Sequence, residues 1–420
     1  MSSKTNTTAT RDEATPALVP KRRFPEFQDS DDWQTKLLGG LCKIRTGKKD
    51  ANEGASDGQY PFFTCAENHI FCRSYSFDAE AILIAGNANV GQTRYYSGKF
   101  EAYQRTYVLM DFSGISVPYL YAILNAKLRE SLLAHVQVSA MSYIKLPMLQ
   151  EYALAVPPSP AEQQKIAECL SSVDELMAAQ ARKVDALKTH KKGLMQQLFP
   201  REGETAPRLR FPEFRNAGAW GMTTIGDLKP FVTSGSRGWA PFYAEQGELF
   251  VRITNLWRYS IYLDLTDCKY VQLPPGANEG VRTQLKEHDV LISITADIGI
   301  IGYVDDNVPS PAYINQHIAL VRFDEGQLCS KFVAYFLASE KSQRLFRAST
   351  DTGTKAGMSL SGIQKIQLML PGKDEQQRIA SCLSSLDALI AAEIRKLETL
   401  KTHKKGLMQQ LFPSLEEGTA

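Results

Sequence analysis

The chain has 420 residues, of which 43% are apolar and 22% are charged, a balance typical of a globular protein with two or three domains. Its formal net charge of +2 is too small to predict a general attraction to nucleic acid. No apolar run approaches the length of about 18 residues that crosses a bilayer, and no signal-peptide pattern is present, so the sequence predicts neither a membrane protein nor an exported one.

The seven cysteines are odd in number and contain no C-x-x-C pair, which favours a reducing cytoplasm over a disulfide framework. Cys65, His69 and Cys72 are a grouping with metal-ligand chemistry, but a fourth ligand at finger-like spacing is missing. We therefore expect no metal site and a cytoplasmic location.

A short segment near the start of the chain occurs twice. The residues Arg23-Phe24-Pro25-Glu26-Phe27 are repeated at Arg210–Phe214, and a tryptophan follows each copy at the same distance, Trp33 and Trp220. The chain therefore contains two related halves.

Each half continues with a globular region whose sequence differs between the copies. The runs Ala81–Ile84 and Val290–Ser293 predict short buried strands, and Gln104–Leu109 aligns with Asn315–Leu320 as a second strand pair. These patterns predict two homologous α+β domains that keep a scaffold and differ in their loops. Candidate amphipathic helices follow near 117–135 and 330–347.

The region after each domain is a long repeat. Residues 162–200 and 375–413 align without a gap and are identical at 29 of 39 positions, so the chain is an internal duplication. Apolar residues alternate in steps of three and four, which predicts the a/d seam of a coiled coil. The predicted helix-pairing or subunit-docking residues are Ile166, Leu170, Val173, Met177, Val184, Leu187, Leu194 and Leu198 in the first copy and Ile379, Leu383, Leu386, Ile390, Leu397, Leu400, Leu407 and Leu411 in the second.

The ends and the interior of these helices carry further signals. Ser159 followed three residues later by Glu162 predicts a capping box at the start of the first helix. A Phe-Pro pair predicts the end of each helix. Polar residues interrupt the seam, and such breaks fix register at a cost in stability. They stand at matched positions, Gln180/Glu393 and Lys191/Lys404.

Three arrangements would bury the apolar seams of the two helices. The helices pair with each other, each helix packs on its own domain, or two chains form a homodimer. We favour an antiparallel pair within one chain, because the near-identical helices are each other's nearest available partners. This arrangement brings Phe412 next to the segment Arg23–Phe27 and closes the two halves into a ring without a covalent bond.

The paired helices with the pattern EQQ-IA-CLSS-D and the ending KKGLMQQLF, the variable domain before each, and the recurring RFPEF segment resemble the specificity subunits of type I restriction–modification enzymes. The resemblance covers nearly everything after residue 20. It implies an α+β fold with two homologous target-recognition domains joined by two long antiparallel coiled-coil helices, in a pseudo-twofold internal repeat. The resulting boundaries are a disordered tail at 1–20 (rich in Ser and Thr), recognition domain 1 at 21–157, spacer helix 1 at 158–200, recognition domain 2 at 201–370, spacer helix 2 at 371–413 and a C-terminal tail at 414–420.

The resemblance also implies a function. In that family each recognition domain reads one half of a bipartite, asymmetric DNA site, and the helices set the spacer and dock two adenine-N6 methyltransferase subunits. S-adenosylmethionine binds to those subunits, while ATP and Mg bind to two restriction (motor and nuclease) subunits, so no cofactor, catalytic residue or metal is implied for this chain. A bacterial or archaeal cytoplasm is implied as well. The sequence agrees, because it contains no N-P-P-F/Y methylase motif, no Walker A loop and no G-x-G-x-x-G.

Direct reading of bases needs Arg, Lys, Asn or Gln on exposed loops, because their forked donors match purine edges in the major groove. Such residues cluster in both domains beside aromatic residues, although Gly/Asn-rich loops can equally be plain turns with solvated arginines. The strand context of Gln104, Arg105, Asn315 and Gln316 favours a scaffold role at least as much. The predicted DNA-binding residues are Lys48, Lys49, Asn52, Asn87, Asn89, Gln92, Arg94, Tyr95, Ser236, Arg237, Trp239, Arg252, Thr254, Asn255, Trp257, Arg258, Thr295 and Lys355.

Two other classes of function remain open at this point. One is a non-catalytic coiled-coil adaptor whose two domains bind proteins or small ligands, and the other is a self-sufficient nuclease or methylase. DNA recognition explains the near-identical helices and the divergent Arg/Asn-bearing domains together, whereas the adaptor explains only the helices. Neighbouring reading frames that encode a methylase and a helicase-nuclease would separate these interpretations.

Overall fold

The computed structural model describes residues 18–135, 143–276, 280–350 and 357–413. The predicted DNA-binding residue Lys355, the C-terminal tail and most of the N-terminal tail lie outside the described residues. The helices are α1 (Val117–His135), α2 (Leu146–Gln150), α3 (Pro160–Leu198), α4 (Ser330–Ala338), α5 (Glu340–Thr350), α6 (Leu360–Gln364) and α7 (Lys373–Leu411). The strands are β1 (Gln34–Leu37), β2 (Lys43–Thr46), β3 (Tyr60–Phe63), β4 (Ile70–Cys72), β5 (Phe77–Ala85), β6 (Thr93–Ala102), β7 (Thr106–Met110), β8 (Ala153–Val156), β9 (Gly221–Thr224), β10 (Phe231–Ser234), β11 (Tyr243–Ala244), β12 (Glu248–Val251), β13 (Lys269–Val271), β14 (Val290–Ser293), β15 (Ile301–Tyr303), β16 (Ala312–Ile314), β17 (Ile318–Arg322) and β18 (Gln367–Leu370).

The chain divides into two compact units that do not coincide with the two sequence halves. The first unit contains the residues up to Gln180 together with those from Lys396 onward, and the second spans Ala181–Arg395. Each unit therefore contains one α+β domain, the beginning of the long helix that follows this domain in the sequence, and the end of the other long helix.

The first domain is built on a six-stranded sheet with the order β2-β7-β5-β6-β3-β4. Its central strand β5 pairs antiparallel with β6 and β7 and contains the predicted strand Ala81–Ile84. Successive side chains of a strand point to opposite faces. Ile82 and Ile84 pack in one cluster with α1, and Leu83 packs with Phe100 on the other face. Both faces of β5 are therefore buried over Ala81–Ile84, which explains why this run is apolar throughout.

The second domain keeps this strand order but divides its sheet in two. The orders are β10-β17-β14-β15 and β11-β13-β12-β16. In the first domain β6 pairs antiparallel with β5 and parallel with β3. In the second domain these roles belong to two strands, β15 and β16, which residues 304–311 separate. The strand β14 coincides with the predicted strand Val290–Ser293, and all four of its residues are buried.

One predicted alignment between the domains is wrong by one residue. Leu83 pairs with Val108, and its counterpart Leu291 pairs with Leu320. Val108 therefore corresponds to Leu320, whereas the sequence alignment placed it opposite Ala319. The physical reason is that these strands are buried on both faces, so their sequences lack the apolar–polar alternation that would define the register.

The long helices α3 and α7 contain 39 residues each, which corresponds to roughly 58 Å at 1.5 Å per residue. Both end before their Phe-Pro pairs, as predicted. Ser159 precedes α3, and its hydroxyl oxygen accepts the amide of Glu162 at 3.4 Å. The Glu162 carboxylate, however, accepts hydrogen bonds from Arg23 and Trp33, so only half of the predicted capping box forms.

All sixteen predicted seam residues are at least partly buried, as a packed seam requires. The buried ones are Ile166, Leu170, Val173, Val184, Leu198, Ile379, Leu383, Ile390 and Leu411. The partly buried ones are Met177, Leu187, Leu194, Leu386, Leu397, Leu400 and Leu407.

The long helices run antiparallel, and cross-helix ion pairs in the second unit show this directly. Lys183 lies 3.0 Å from Glu393, and Lys191 lies 2.5 Å from Asp387. The residue numbers rise along one helix while they fall along the other, so the prediction of antiparallel pairing within one chain is confirmed.

The first unit contains the equivalent of one of these pairs. Lys404 lies 2.6 Å from Asp174, and these residues occupy the same repeat positions as Lys191 and Asp387. The matched break Lys191/Lys404 therefore has a carboxylate on the partner helix in both repeats. Such a pair satisfies the charge and favours one register over its neighbours.

The start of each long helix packs on the domain that precedes it, Ile166 in the first domain and Ile379 in the second, so the own-domain alternative is also correct there. Ile166 and Phe412 lie in the core cluster of the first domain, and Phe24 packs against the same cluster. The Arg22 amide donates to the Gln410 carbonyl at 3.0 Å. The end of α7 thus lies beside the first RFPEF segment, as predicted.

Each RFPEF segment holds the start of a long helix by the same ion pair. Arg23 donates two hydrogen bonds of 2.7 Å to Glu162, and Arg210 donates two of 2.7 Å to Glu375. These bonds raise the pKa of both arginines, so both guanidinium groups stay charged. Bidentate pairs of this kind fix geometry as well as charge.

Candidate nucleic-acid interface

Four loops of the first domain meet at one edge of its sheet. The Gln104 amide donates to the Lys49 carbonyl at 3.0 Å, and the Gly86 amide donates to the Arg105 carbonyl at 2.9 Å. The Asn89 side chain donates to a carbonyl of the loop after β3 at 2.9 Å. Each loop is therefore held by a neighbour. We call this surface the first loop edge, formed by the loops after β2 (47–53), β3 (64–69), β5 (86–92) and β6 (103–105).

The second domain contains the same surface. Asn315 bridges to Ser236, and its amide donates to the Val251 carbonyl at 3.1 Å. The Ile294 amide donates to the His317 carbonyl at 2.9 Å, as Gly86 does to Arg105 in the first domain. The second loop edge is formed by the loops after β10 (235–239), β12 (252–268), β14 (294–300) and β16 (315–317).

Both loop edges depend on a glycine at the same place. A Cβ added to Gly47 would lie 1.7 Å from the Ala102 carbonyl oxygen, and one added to Gly235 would lie 2.1 Å from the Asn315 carbonyl oxygen. These distances are far inside van der Waals contact. Only glycine lets the loop lie against the neighbouring backbone here.

We expect Gly47→Ala and Gly235→Ala each to destabilise the chain by about 1–3 kcal/mol, because loop or strand must move to accept the methyl group. Gly40→Ala is the matched control, since nothing lies within 4 Å of its added Cβ. The measurement is urea unfolding of the three variants. Equal midpoints for all three would show that the loop edges tolerate a side chain and that the close approach is not required.

Comparison with known proteins identifies the family. The model of the type I restriction modification DNA specificity domain matches residues 30–189 and 276–402, more than half of the chain. The chain belongs to this family. Its two homologous α+β domains and two long antiparallel helices are the fold of specificity subunits.

The chain is similar to individual specificity subunits either over part of its length or over nearly all of it. The chain is 42% identical over 142 residues to the EcoDI specificity subunit of Escherichia coli, which covers 34% of this chain and 31% of that protein. It is 22% identical over 406 residues to the MjaVIII specificity subunit of Methanocaldococcus jannaschii, covering 91% and 92% of the two chains. The crystal structure of a type I S subunit from M. genitalium matches with a TM-score of 0.63 at 15% identity, covering 95% of this chain and 100% of that one. At this identity the structural likeness concerns the fold.

Among the described residues there is neither a membrane-spanning helix nor a metal-binding cluster. Within them no helix is both long and apolar enough to cross a bilayer, and no group of three His, Cys, Asp or Glu side chains gathers in a metal-binding arrangement. The thiols considered as ligands bond elsewhere: Cys72 donates to the Ser74 carbonyl at 2.9 Å and Cys65 to the Arg105 carbonyl at 3.4 Å.

The eight predicted DNA-binding residues of the first domain lie on or beside the first loop edge, and internal bonds hold several of them. Lys49 donates to the Ser74 hydroxyl at 2.7 Å and lies 3.8 Å from the buried Glu101. Asn89 is held as described above. The guanidinium of Arg94 donates to two carbonyls of the loop 64–69. The structure thus gives these three side chains a role in shaping the loop edge.

Other side chains of the first loop edge are available. Tyr95 is exposed and donates to Glu80 at 2.8 Å, a bond that raises its pKa. Lys48, Asn52, Asn87 and Gln92 make no side-chain hydrogen bond or ion pair with the described residues. Arg105, for which strand context made a scaffold role at least as likely, is exposed and its side chain makes no hydrogen bond or ion pair with the described residues. Its backbone carbonyl accepts the Gly86 amide and so contributes to the scaffold.

Two predicted residues of the second domain are interior. Trp239 is 3% exposed and packs on Phe250 and Tyr313. Asn255 is 2% exposed and donates to two backbone carbonyls of its own loop, those of residues 264 and 267. Neither side chain is accessible to DNA, so both predictions are corrected. Trp239 packs in the interior, and Asn255 shapes its own loop.

Three further predicted residues of the second domain are tied to neighbours. Arg252 is partly buried and donates to the Asp267 carboxylate at 3.0 Å. Thr295 shares a hydrogen bond of 2.5 Å with His317, and the Ser236 hydroxyl accepts one of 3.0 Å from an arginine of the segment before β14. Arg237 and Thr254, in contrast, are exposed and make no side-chain hydrogen bond or ion pair with described residues.

Arg258 is the most strongly bound of the predicted arginines. Its guanidinium makes two bonds to the Asp297 carboxylate, one of 2.7 Å to Gln343 and one of 3.2 Å to the Ile298 carbonyl. Its neighbour Trp257 is 50% exposed. The arginine is therefore committed to internal acceptors, whereas the aromatic ring beside it keeps half of its surface exposed.

Proposed function

We propose that the chain is the DNA-recognition subunit of a type I restriction–modification complex and that each loop edge reads one half of a bipartite, asymmetric site. The observation that carries this proposal is the repetition of the loop edge with the same backbone bonds but different exposed side chains. Lys49, which pairs with a buried glutamate, occupies the place of Ser236, since the two bridge to equivalent residues, and the exposed Arg105 corresponds to His317. One scaffold with two sets of donors suits two unlike half-sites.

The exposed face near the end of each long helix supports a partner that binds twice. Six exposed residues there are identical in the two repeats, although packing does not demand identity at exposed positions. We propose that this face docks two adenine-N6 methyltransferase subunits, one on each repeat, since duplicated surfaces take equivalent partners. The residues are Lys188, Thr189, His190, Lys192, Gln196 and Gln197 in α3 and Lys401, Thr402, His403, Lys405, Gln409 and Gln410 in α7.

In this proposal the chain selects the DNA site and the partner subunits supply the chemistry. The methyltransferases bind S-adenosylmethionine, and the two restriction subunits that join the complex bind ATP and Mg. The antiparallel helices set the spacer between the half-sites. A coiled-coil adaptor would also use duplicated helices, but it would not need exposed Arg, Lys and Asn side chains on both loop edges.

We expect Arg105→Ala and Arg237→Ala each to relax recognition of one half-site and to leave the other half unchanged. Loss of a bidentate contact costs about 1–3 kcal/mol at the base pair that is read. The measurement is the selection of binding sites from a randomised library by each variant in complex with the methyltransferase subunits. Arg215→Ala is the matched control, because Arg215 is exposed and lies outside both loop edges. Equal weakening of both half-sites by either variant would contradict the assignment of one half-site to each domain.

A further inference from the structure

The segment Trp257–Ser260 forms a tight turn that projects from the second loop edge. Trp257 and Ser260 bridge in antiparallel fashion, and the Ser260 hydroxyl accepts the Tyr262 amide at 3.0 Å. At the tip, Tyr259 is 85% exposed. Its hydroxyl makes no hydrogen bond with the described residues. A large aromatic ring is thus presented to the outside on a closed turn.

Arg258 fixes this turn from within. Its bonds reach Asp297 and Ile298 in the loop after β14, which belongs to the loop edge, and Gln343 in α5. Gln343 in turn donates to the Gly299 carbonyl at 2.7 Å. The turn is therefore rigidly continuous with the proposed DNA-reading surface. An aromatic side chain on such a support loses little conformational entropy when it makes a contact.

The turn also lies at a cleft of the second unit with a basic lining. The cleft has a volume of about 1870 Å³, and both Trp257 and Tyr259 line it. Its lining contains ten Lys or Arg side chains against six Asp or Glu, and the basic ones outside the proposed docking face include Lys331 of α4 and Lys341 of α5. This excess of positive charge is complementary to phosphates.

The described part of the first domain contains no counterpart of this turn, and this difference favours DNA over a protein as its partner. The loop after β3 spans residues 64–69 only, whereas the loop after β12 spans residues 252–268. A partner that docks equivalently on both repeats would meet equivalent surfaces. A feature confined to one domain suits the component that differs between the halves, which is the base sequence.

We infer that the turn Trp257–Ser260 is a DNA-contacting wedge of the second domain, in which Tyr259 and Trp257 contact the double-stranded target and Arg258 is a positioning residue. This inference rests on the proposed function. It adds Tyr259 to the contacting residues and removes Arg258 from them. Aromatic contacts with bases are worth enough to expect a roughly 5- to 100-fold loss of affinity when the ring is removed.

The test uses the complex with methyltransferase subunits and a target selected by the unaltered complex. We expect Tyr259→Ala to weaken binding as stated, and Tyr259→Phe to retain most of the affinity because the ring remains. Arg258→Ala should weaken binding similarly but add little in the Tyr259→Ala background, since it acts through the ring. Independent, additive losses would assign Arg258 a separate role and overturn that part of the inference.

Trp257 provides an independent readout. The other three tryptophans, Trp33, Trp220 and Trp239, are at most 4% exposed, so Trp257 carries the quenchable fluorescence of this chain. The difference in acrylamide quenching between the complex and its Trp257→Phe variant isolates this residue from partner tryptophans. We expect target DNA to protect Trp257 and a DNA with a scrambled second half-site to protect it less.

The outcomes separate the inference from the proposed function. If the complex selects a bipartite site while Trp257 stays quenchable and Tyr259→Ala binds normally, the wedge is wrong and the function stands. If Tyr259→Ala prevents assembly with the methyltransferase, measured by size-exclusion chromatography, the turn is a protein contact and the inference is overturned. If the complex selects no DNA site at all, the proposed function itself fails.

Discussion

Asp387→Ala is expected to lower the free energy of unfolding by about 3–5 kcal/mol, the cost of leaving one member of a buried ion pair without its partner. Asp387 and Lys191 are both buried. The carboxylate also accepts the hydroxyl of the fully buried Tyr335 at 2.6 Å. Burial, and then the nearby carboxylate, raise the pKa of Tyr335, so the phenol stays protonated and donates. Removing the carboxylate leaves the buried ammonium of Lys191 and the buried hydroxyl of Tyr335 without this partner.

The duplication supplies the matched control for this prediction. Asp174→Ala removes the same repeat position from the first unit, but there the side chains of Asp174 and Lys404 are 50% and 16% exposed. Water can solvate what remains, and exposed pairs contribute at most about 1 kcal/mol. A double variant, Lys191→Met with Asp387→Leu, should recover much of the loss, because apolar replacement of a buried pair is often neutral. Urea unfolding measures all three, and equal losses for the two aspartate variants would contradict the argument from burial.

The seam shows how far sequence reasoning reaches in this fold. The spacing of apolar residues predicted every seam position and both matched lysine breaks, because helical periodicity is a local property. It did not predict that Asp387 and Asp174 would form ion pairs with these two lysines. The partner of a residue on another helix depends on the register between helices, which spacing on one helix does not contain. The ion pair between Arg23 and Glu162, 139 residues apart, was not predicted either, because it also depends on a tertiary contact.

The candidate interface shows what sequence reasoning cannot predict. Residue type and loop context predicted where the loop edges lie, but not which side chains face outward. Trp239 stands in a Gly/Ser-rich loop that looks exposed, yet it packs on Phe250 and Tyr313, and the second of these is distant in the sequence. The strand context of Arg105 left a scaffold role and a reading role open, and in the structure its backbone serves the scaffold while its side chain is exposed. Exposure depends on the tertiary structure, so sequence reasoning also failed to identify the exposed Tyr259 next to the candidate residues Trp257 and Arg258.

The largest functional effect is expected from shortening both long helices by one heptad. Deleting residues 178–184 together with 391–397 keeps the a/d seam in phase, because seven residues are one full repeat. Equal numbers of residues leave two antiparallel helices, so the Lys191–Asp387 and Lys404–Asp174 pairs retain both partners and their register. Lys183 and Glu393 are deleted together, so neither member of this pair loses its partner.

If the helices set the spacer, this variant should prefer a target whose spacer is about three base pairs shorter. The loss of about 10.5 Å of helix corresponds to three steps of about 3.4 Å along DNA, and the half-sites would turn relative to each other by about a hundred degrees. Binding to the original target should fail, while the bases of each half-site stay the same.

Site selection from a library with varied spacers measures this directly, with the variant assembled on its methyltransferase subunits. Deleting 178–184 from α3 alone is the control. The two ion pairs then demand registers that differ by seven residues, so this variant should lose stability rather than shift its spacer preference. A folded, methyltransferase-binding double deletion that still prefers the original spacer would show that the separation of the half-sites is set elsewhere. A shorter spacer with unchanged half-sites would separate the two functions of the chain physically, because the loop edges would then determine the bases and the helices the distance between them.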